Sequence, residues 1–334
     1  MQIRELNPID DADNLASALP AFQQWRRDYL PGFSPFGEAR FRLWSTDGYR
    51  QQTTILGAFA DERATEAAGL AVYDIELDKN LDQAEFSLHI PAGPGAREIE
   101  AALFDEVMRR TAELGRKRLV TGLPDTADPA AFAARHGDGG AKHTDTAISS
   151  VLDLAAIDRA QYAAWAEPSA KNSEYTLVRW IGPCPDEYAE SYCAALDAMA
   201  DQPMGTFEYE WAKQDIDRLR HSEANTRRVG GRKYAQVALD PEGKVAGFNL
   251  LMAFPDEPGF IEIWDTGVAR GHRGHGLGLR LKAAASLWVL EDRPDTRWMR
   301  TFNNDENEWM LAVNRTMGYR ATVDFRGYEF AVGG

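Results

Sequence analysis

The sequence predicts a mixed α+β protein built as two domains of one fold. Three observations carry that expectation. The chain has 334 residues, enough for two domains of ordinary size. Its composition, 44% hydrophobic and 27% charged, suits globular packing. One order of elements then reads twice with a period of about 150 residues: strand, helical segment, three strands, glycine-rich bend, long helix, strand, short helix, strands. The two halves are dissimilar in sequence, so the repeat is one of order and spacing. It sets the expected boundaries at 1–154 for the first domain, 155–172 for a partly helical linker and 173–334 for the second.

In the first half, residues 2–6 read as a strand. Residues 9–30 read as a helical region broken at Pro20 and ended at Pro31-Gly32. Strands follow within 49–60, at 67–77 and at 84–90. After the loop Pro91-Ala92-Gly93-Pro94-Gly95, an amphipathic helix is expected over 97–114, with Ile99, Leu103, Val107 and Leu114 on or near one stripe and Gly115 as its C-cap. A strand at 118–122, a short helix at 129–135 and further strand at 142–154 complete it.

The second half opens with a strand at 175–181. Helices are expected at 186–200, opened by Pro185, and at 211–220. Strands at 234–239 and 245–254 flank the turn Asp240-Pro241-Glu242-Gly243. A strand at 261–268 runs through the bend into a helix over 277–290. A strand at 298–302 and a helix at 308–317 capped by Gly318 come next, and strands at 321–324 and 328–332 close the sheet.

Composition excludes several classes of function. The formal net charge of -15 opposes nucleic acid as a partner, because phosphate contacts need a basic face, and it favours a cationic substrate. No apolar run approaches the roughly 20 residues that cross a bilayer, and the N-terminus lacks a signal-peptide layout. Cys184 and Cys193 suit no zinc pattern and are expected to be reduced packing residues, with no metal bound. A cytoplasmic protein is expected, and intrachain pseudo-symmetry is expected to leave it a monomer.

The most informative stretch is 267–281, Gly-Val-Ala-Arg-Gly-His-Arg-Gly-His-Gly-Leu-Gly-Leu-Arg-Leu. A glycine-rich bend between strand and helix exposes backbone N–H groups at a helix N-terminus, where they hold phosphate. Arg270, Arg273, Arg280 and Lys282 make the stretch locally basic, and no acid interrupts them.

Arg273-Gly274-His275-Gly276-Leu277-Gly278 resembles the pyrophosphate motif of the GNAT superfamily of acyl-CoA N-acyltransferases, R/Q-x-x-G-x-G/A after a strand. Asn307, with 308–318 and Tyr319, fits that family's later segment, and the doubled layout resembles its tandem actinobacterial type. The resemblance implies two GNAT-like domains, each a mostly antiparallel twisted sheet flanked by helices. It implies acetyl-CoA as cosubstrate and direct transfer to the primary amine of a small molecule. Val268, Ala269, Arg273, Gly274, His275, Gly276, Leu277 and Gly278, with Asn303 and Asn307, would contact CoA. A sharper alternative makes the acceptor a cysteinyl pseudodisaccharide; another is a CoA-binding or regulatory protein without turnover.

Setting the two long helices in register on Leu103 and Leu281 puts Gly95 opposite Arg273, Glu98 opposite Gly276 and Glu100 opposite Gly278. On that register the first half carries carboxylates where a pyrophosphate would sit and is not expected to bind CoA in the usual way.

For the chemistry, the resemblance points to Glu262 as general base, with Asp265 as fallback. Period-two alternation would place Glu262, Trp264 and Thr266 on one face and Ile261, Ile263 and Asp265 on the other. The family's acid tyrosine falls at Asn314, which cannot act as a Brønsted acid at neutral pH. In the acidic, aromatic stretch 201–217, Glu208 and Tyr209 are candidate acceptor contacts, together with Trp264.

Overall fold

The computed structural model describes residues 1–30, 36–137 and 140–333. The predicted helix end at Pro31-Gly32 lies outside them. The chain divides into two compact units. Unit 1 comprises Met1–Ala147, Met204–Glu210 and Val323–Gly334; unit 2 comprises Ile148–Pro203 and Trp211–Thr322.

Unit 1 contains β1 (Gln2–Leu6), β2 (Gln51–Phe59), β3 (Gly69–Glu76), β4 (Gln83–His89) and β5 (Arg118–Pro124), in that spatial order. Neighbours are antiparallel except β4 and β5, which are parallel and pair at three positions, from Gln83↔Arg118 to Glu85↔Val120. The last strand of the chain, β12 (Arg320–Ala331), pairs antiparallel with β5 from Phe325 to Ala331. This is why the C-terminal residues belong to unit 1, although the repeat in the sequence assigns them to the second half. Residues 204–210 join unit 1 through local bonds: Thr206 N donates to the Thr144 carbonyl, and Glu210 N to Asn80 Oδ1 at 2.8 Å.

Strand alternation sends successive side chains to opposite faces. One face of unit 1 packs Leu56, Ala71, Phe86 and Leu88 against Leu103, Phe104 and Val107 of α3 (Ala96–Glu113). The other packs Ile55, Leu70 and Val72 against α1 (Ala12–Tyr29) and α2 (Glu38–Trp44). The break expected at Pro20 does not occur. Asp11 caps α1, and Ala18, Ala21, Phe22 and Trp25 are buried on both sides of Pro20, so packing outweighs one lost backbone bond. The helix α2 was not foreseen; α4 (Pro129–His136) was.

Unit 2 has the same plan. Its strands run β11 (Trp298–Asn304), β10 (Phe260–Val268), β9 (Val245–Ala253), β8 (Arg232–Leu239) and β7 (Thr176–Ile181), with β6 (Lys142–Asp153) next to β11. Again one pair is parallel: β10 and β11 pair at Phe260↔Trp298, Ile261↔Met299 and Glu262↔Arg300. One face packs Leu251, Ile261 and Ile263 under α8 (Leu277–Asp292). The other packs Val237, Phe248 and Leu250 under α6 (Asp186–Leu196) and α7 (Ile216–Arg228), with both cysteines buried and free. The helix predicted at 211–220 begins later, because Asp215 accepts from Arg218 N and starts the helix there. The segment expected as linker carries α5 (Arg159–Ala166) and packs into unit 2: Tyr162 is buried and donates to the Met317 carbonyl at 2.5 Å. Last in unit 2 comes α9 (Glu308–Met317), ended by left-handed Gly318.

Candidate active site

In unit 2, β10 runs through a short 3-10 turn, Arg270–His272, into the bend that opens α8. Gly274 and Gly276 have φ of 83° and 75°, values that favour glycine, and Gly276 is the N-cap of α8. No side chain caps that helix and its first turn carries no acid. A Cβ placed on Gly274 or Gly278 would meet nothing within 4 Å. The protein therefore leaves open space over uncapped helical N–H groups, which suits an incoming pyrophosphate.

The cations of this stretch are less available than the sequence suggests. Arg280 is buried and donates to the carbonyls of Ala166, Asn172 and Tyr175, tying α5 and the start of β7 to α8. Lys282 is wholly buried. Arg270 and Arg273 stay at the surface but share Asp201, at 2.7 and 2.8 Å, and Arg273 Nε also donates to the Val268 carbonyl. These partners hold the Asp201 carboxyl below its usual range, the bond from Arg270 contributing most. Asp201 opens the acidic stretch 201–217, yet its bonds tie it to the bend. His272 contacts Tyr175 Oη at 3.0 Å, and His275 Nδ1 lies 3.1 Å from the His272 carbonyl.

The register of β10 overturns the expected alternation. A bulge between Ile263 and Asp265 inserts Trp264, so Glu262 pairs with Met252 and Asp265 with Leu250. Met252 and Leu250 share a face. Glu262 and Asp265 therefore point to the same side, the one packed by α6 and α7, while Thr266 lies on the other and donates to Asn249 Oδ1 at 2.8 Å. Trp264 is the extra residue and is exposed.

Glu262 is the last residue of β10 paired to β11. Its Oε1 accepts from Arg300 Nε at 3.1 Å and Nη2 at 2.8 Å, and both side chains are buried. Glu262 is thus engaged in an internal ion pair. Asp265 differs: burial pushes its pKa up to about 6, against a smaller opposing effect of Lys233. A carboxyl so tuned is suited to take a proton near neutral pH. Beyond Glu262, β10 has no pairing with β11, so its outer backbone edge faces the divergence between the two strands.

On the opposite face lies a network that the sequence hid. Lys282 Nζ donates to Asn314 Oδ1 at 2.6 Å and sits 4.8 Å from the centre of the Tyr319 ring. Asn314 Nδ2 donates to Asn303 Oδ1 at 2.6 Å. Burial lowers the Lys282 pKa to about 7. Position 282 falls on the buried stripe Leu281, Ala285 and Val289 of α8, which a helical-wheel reading could have found. Asn314 is thus an interior link, Asn303 a strand residue, and Asn307 the N-cap of α9, accepting from Met310 N. Of the proposed acceptor contacts, Glu208 and Tyr209 belong to unit 1, where Tyr209 Oη donates to Glu76 Oε1 at 2.9 Å.

The two bends can be compared by their caps. Gly95, with φ of 81°, is the left-handed N-cap of α3, as Gly276 is of α8. This corrects the register set on Leu103 and Leu281 by three residues. Gly93 now matches Gly274 and Arg97 matches Gly278, while Glu98 and Glu100 match Leu279 and Leu281. Glu100 is held by Arg135 at 2.8 Å and lies 3.0 Å from His136 Nε2. The unit 1 bend is nonetheless occupied: Asp28 accepts from Ala92 N at 2.8 Å, and Glu98 stands in the first turn of α3.

Among the described residues no helix is long and apolar enough to cross a membrane, and no cluster of three or more His, Cys, Asp or Glu could hold a metal. Residues 196–319 match the family model of the GNAT acetyltransferases. No curated protein matches the sequence. The chain is similar in fold to a tandem GNAT protein from the clavulanic acid biosynthesis pathway, solved without acetyl-CoA, at 20% identity and a TM-score of 0.77, over 100% of this chain and 99% of that one. It is similar to a GCN5-related N-acetyltransferase from Sphaerobacter thermophilus at 14% identity and a TM-score of 0.63, over 99% and 96% of the two chains. A glucosamine N-acetyltransferase region of a fungal multi-domain β-N-acetylglucosaminidase gives 16% identity and a TM-score of 0.64, over 98% of this chain and 38% of that one.

Proposed function

We propose, from the premise that the chain is a tandem-domain acyltransferase of the GNAT superfamily, that unit 2 moves an acetyl group from acetyl-CoA directly to the primary amine of a small molecule. The observation that carries this is the bend of Gly274 and Gly276, with open space above uncapped N–H groups at the head of α8. Those N–H groups would hold the pyrophosphate, with the helix dipole adding to the attraction. Arg273 helps by shaping the turn through the Val268 carbonyl. Acetyl-CoA supplies an activated thioester, so the protein needs no nucleophile of its own.

Asp265 takes the proton of the incoming ammonium, which must be neutral to react. Its raised pKa and its place on the α6 and α7 face of β10 support that role over Glu262, which Arg300 holds. The backbone of Val268 and Ala269, at the end of β10, is the natural contact for the arm of the donor. Asn303, fixed by Asn314 and Lys282, presents a polar side chain on the strand that diverges from β10. The unit 1 bend, with Asp28 on one of its N–H groups, has no role in holding acetyl-CoA.

The test is release of free CoA thiol from acetyl-CoA with a panel of primary amines, amino sugars and a cysteinyl pseudodisaccharide included. Turnover with at least one amine, lost in Asp265→Asn while CoA still binds, is the expected result. CoA binding with no release across the panel would replace this reading by one of a CoA-binding protein, which the absence of a tyrosine at Asn314 would then explain.

A further inference from the structure

The transfer chemistry of unit 2 leaves one buried cation without a task. Lys282 is wholly buried on α8, and among the described residues no carboxylate pairs with it. Its ammonium donates to Asn314 Oδ1 at 2.6 Å and lies 4.8 Å from the centre of the Tyr319 ring. An ammonium buried without a counter-ion is costly, and an apolar side chain would fill the same stripe of α8 at lower cost. The charge itself therefore calls for an explanation.

Lys282 fixes the direction of the chain of bonds that it starts. A lysine ammonium has donors only. Asn314 must turn its Oδ1 to it, which leaves Nδ2 to donate to Asn303 Oδ1 at 2.6 Å. Asn303 is thus held by its oxygen. Its N–H2 is the open end of the chain, and among the described residues nothing accepts from it. Each amide is polarised by the group behind it, so this last N–H2 is a stronger donor than an isolated amide. The open end also lies where two strands part. Asn303 is half-buried near the end of β11, three residues beyond Arg300, the last residue paired with β10. Its bonded neighbours belong to α9 and α8, so it faces the side of the sheet covered by α8, whose N-terminus is the glycine bend.

We propose, resting on the acetyl transfer assigned to unit 2 above, that Lys282 is a positioning residue: through Asn314 it holds the Asn303 N–H2 toward the sulfur of the donor, where it stabilises the leaving thiolate. Asp265 takes one proton from the ammonium of the acceptor. The C–N bond then forms, the C–S bond breaks and its electron pair stays on sulfur, which accepts from Asn303 Nδ2. The second proton that the nitrogen sheds reaches the sulfur through solvent, so position 314 needs no Brønsted acid. Burial brings Lys282 down to about 7, and negative charge appearing on the sulfur makes it hold its proton more firmly. The titratable groups around it are Tyr319 and, beyond it, Tyr162; burial keeps both protonated, so neither brings a competing charge.

The test needs no acceptor. The full chain is saturated with CoA or with desulfo-CoA, which lacks the sulfur, at about pH 8, where a thiol begins to ionise. The ultraviolet band of the thiolate is read from the difference between the two complexes. The thiolate-to-thiol ratio should be about tenfold or more higher for bound than for free CoA, the size of one hydrogen bond to a charged group. Asn303→Ala and Lys282→Met should each return it to the ratio of free CoA, with affinity for desulfo-CoA kept within about threefold. Asn303→Asp still accepts from Asn314 but sets a carboxylate beside the sulfur, and should bring the ratio below that of free CoA. Near-ultraviolet circular dichroism checks folding, and the two Asn303 variants carry the test if Lys282→Met does not fold. A wild-type ratio equal to that of free CoA, or a raised ratio that persists in Asn303→Ala or in folded Lys282→Met, would overturn the assignment. So would an equal loss of affinity for CoA and desulfo-CoA, which would make Asn303 a contact of the donor's arm. Wild type that binds neither compound would overturn the transfer reading and this assignment with it.

Discussion

Replacing Glu262 by Gln separates two roles that the sequence leaves superimposed. Glu262 and Arg300 are 8% and 3% exposed, and both bonds from the guanidinium land on one carboxylate oxygen. Removing one member of a buried pair leaves the other charge uncompensated, at a cost of about 3–5 kcal/mol. Gln keeps an acceptor oxygen but not the charge, so the loss is expected near the lower end, about 3 kcal/mol. Replacing both residues by Met removes the stranded charge, and that double variant should recover most of the loss. The rings of Phe260 and Phe302, 5.3 and 5.0 Å from the guanidinium, already provide apolar surroundings for it. The assay is urea unfolding followed as a midpoint shift at constant slope, alongside thiol release across pH. The pH profile should keep its shape. A Glu262→Gln protein that loses under about 1 kcal/mol, yet slows chiefly near neutral pH, would make Glu262 the base and refute the ion-pair argument.

Three further outcomes are expected. Gly278→Ala should leave stability equal or raised by about 0.5–1 kcal/mol, because alanine suits a helix better, while weakening CoA binding in a titration, because its methyl enters the open space at the bend. Asp265→Asn should gain stability above pH 6. The folded carboxyl titrates near 6 rather than at its usual value, so wild type loses stability as pH rises from about 4 to about 6; the variant lacks that loss, worth about 3 kcal/mol by urea unfolding at pH 7. Lys282 has the opposite sign. Its ammonium gives up its proton near pH 7 when folded but near its usual 10.5 when unfolded, so wild type should gain about 2–4 kcal/mol between pH 7 and pH 10, and Lys282→Met should show no such rise in the same measurement.

Much of the site was legible because it is local. The bend of Gly274 and Gly276, the helix after it and the strand before it lie within one continuous stretch, where chain geometry and capping depend on near neighbours. The cap at Gly318 was read for the same reason. The faces of β10 were misread because one inserted residue, Trp264, turns everything after it to the other face, and a bulge has no signature in an apolar run. The partners were misread because they are distant in sequence. Asp201 lies about 70 positions from Arg273, and Arg300 lies 38 from Glu262.

The sequence by itself determined the doubled order of elements, the glycine-rich bend and the residue types around it. Each follows from periodicity of two or 3.6 and from glycine's access to left-handed backbone. Only the tertiary structure decided which charges are free. It spent Arg280 on three carbonyls, tied Arg270 and Arg273 to Asp201, buried Lys282 beside Asn314, and paired Glu262 with Arg300. A carboxylate's chemistry depends on the dielectric and the partner around it, and those are set by strands that meet from far apart in the chain.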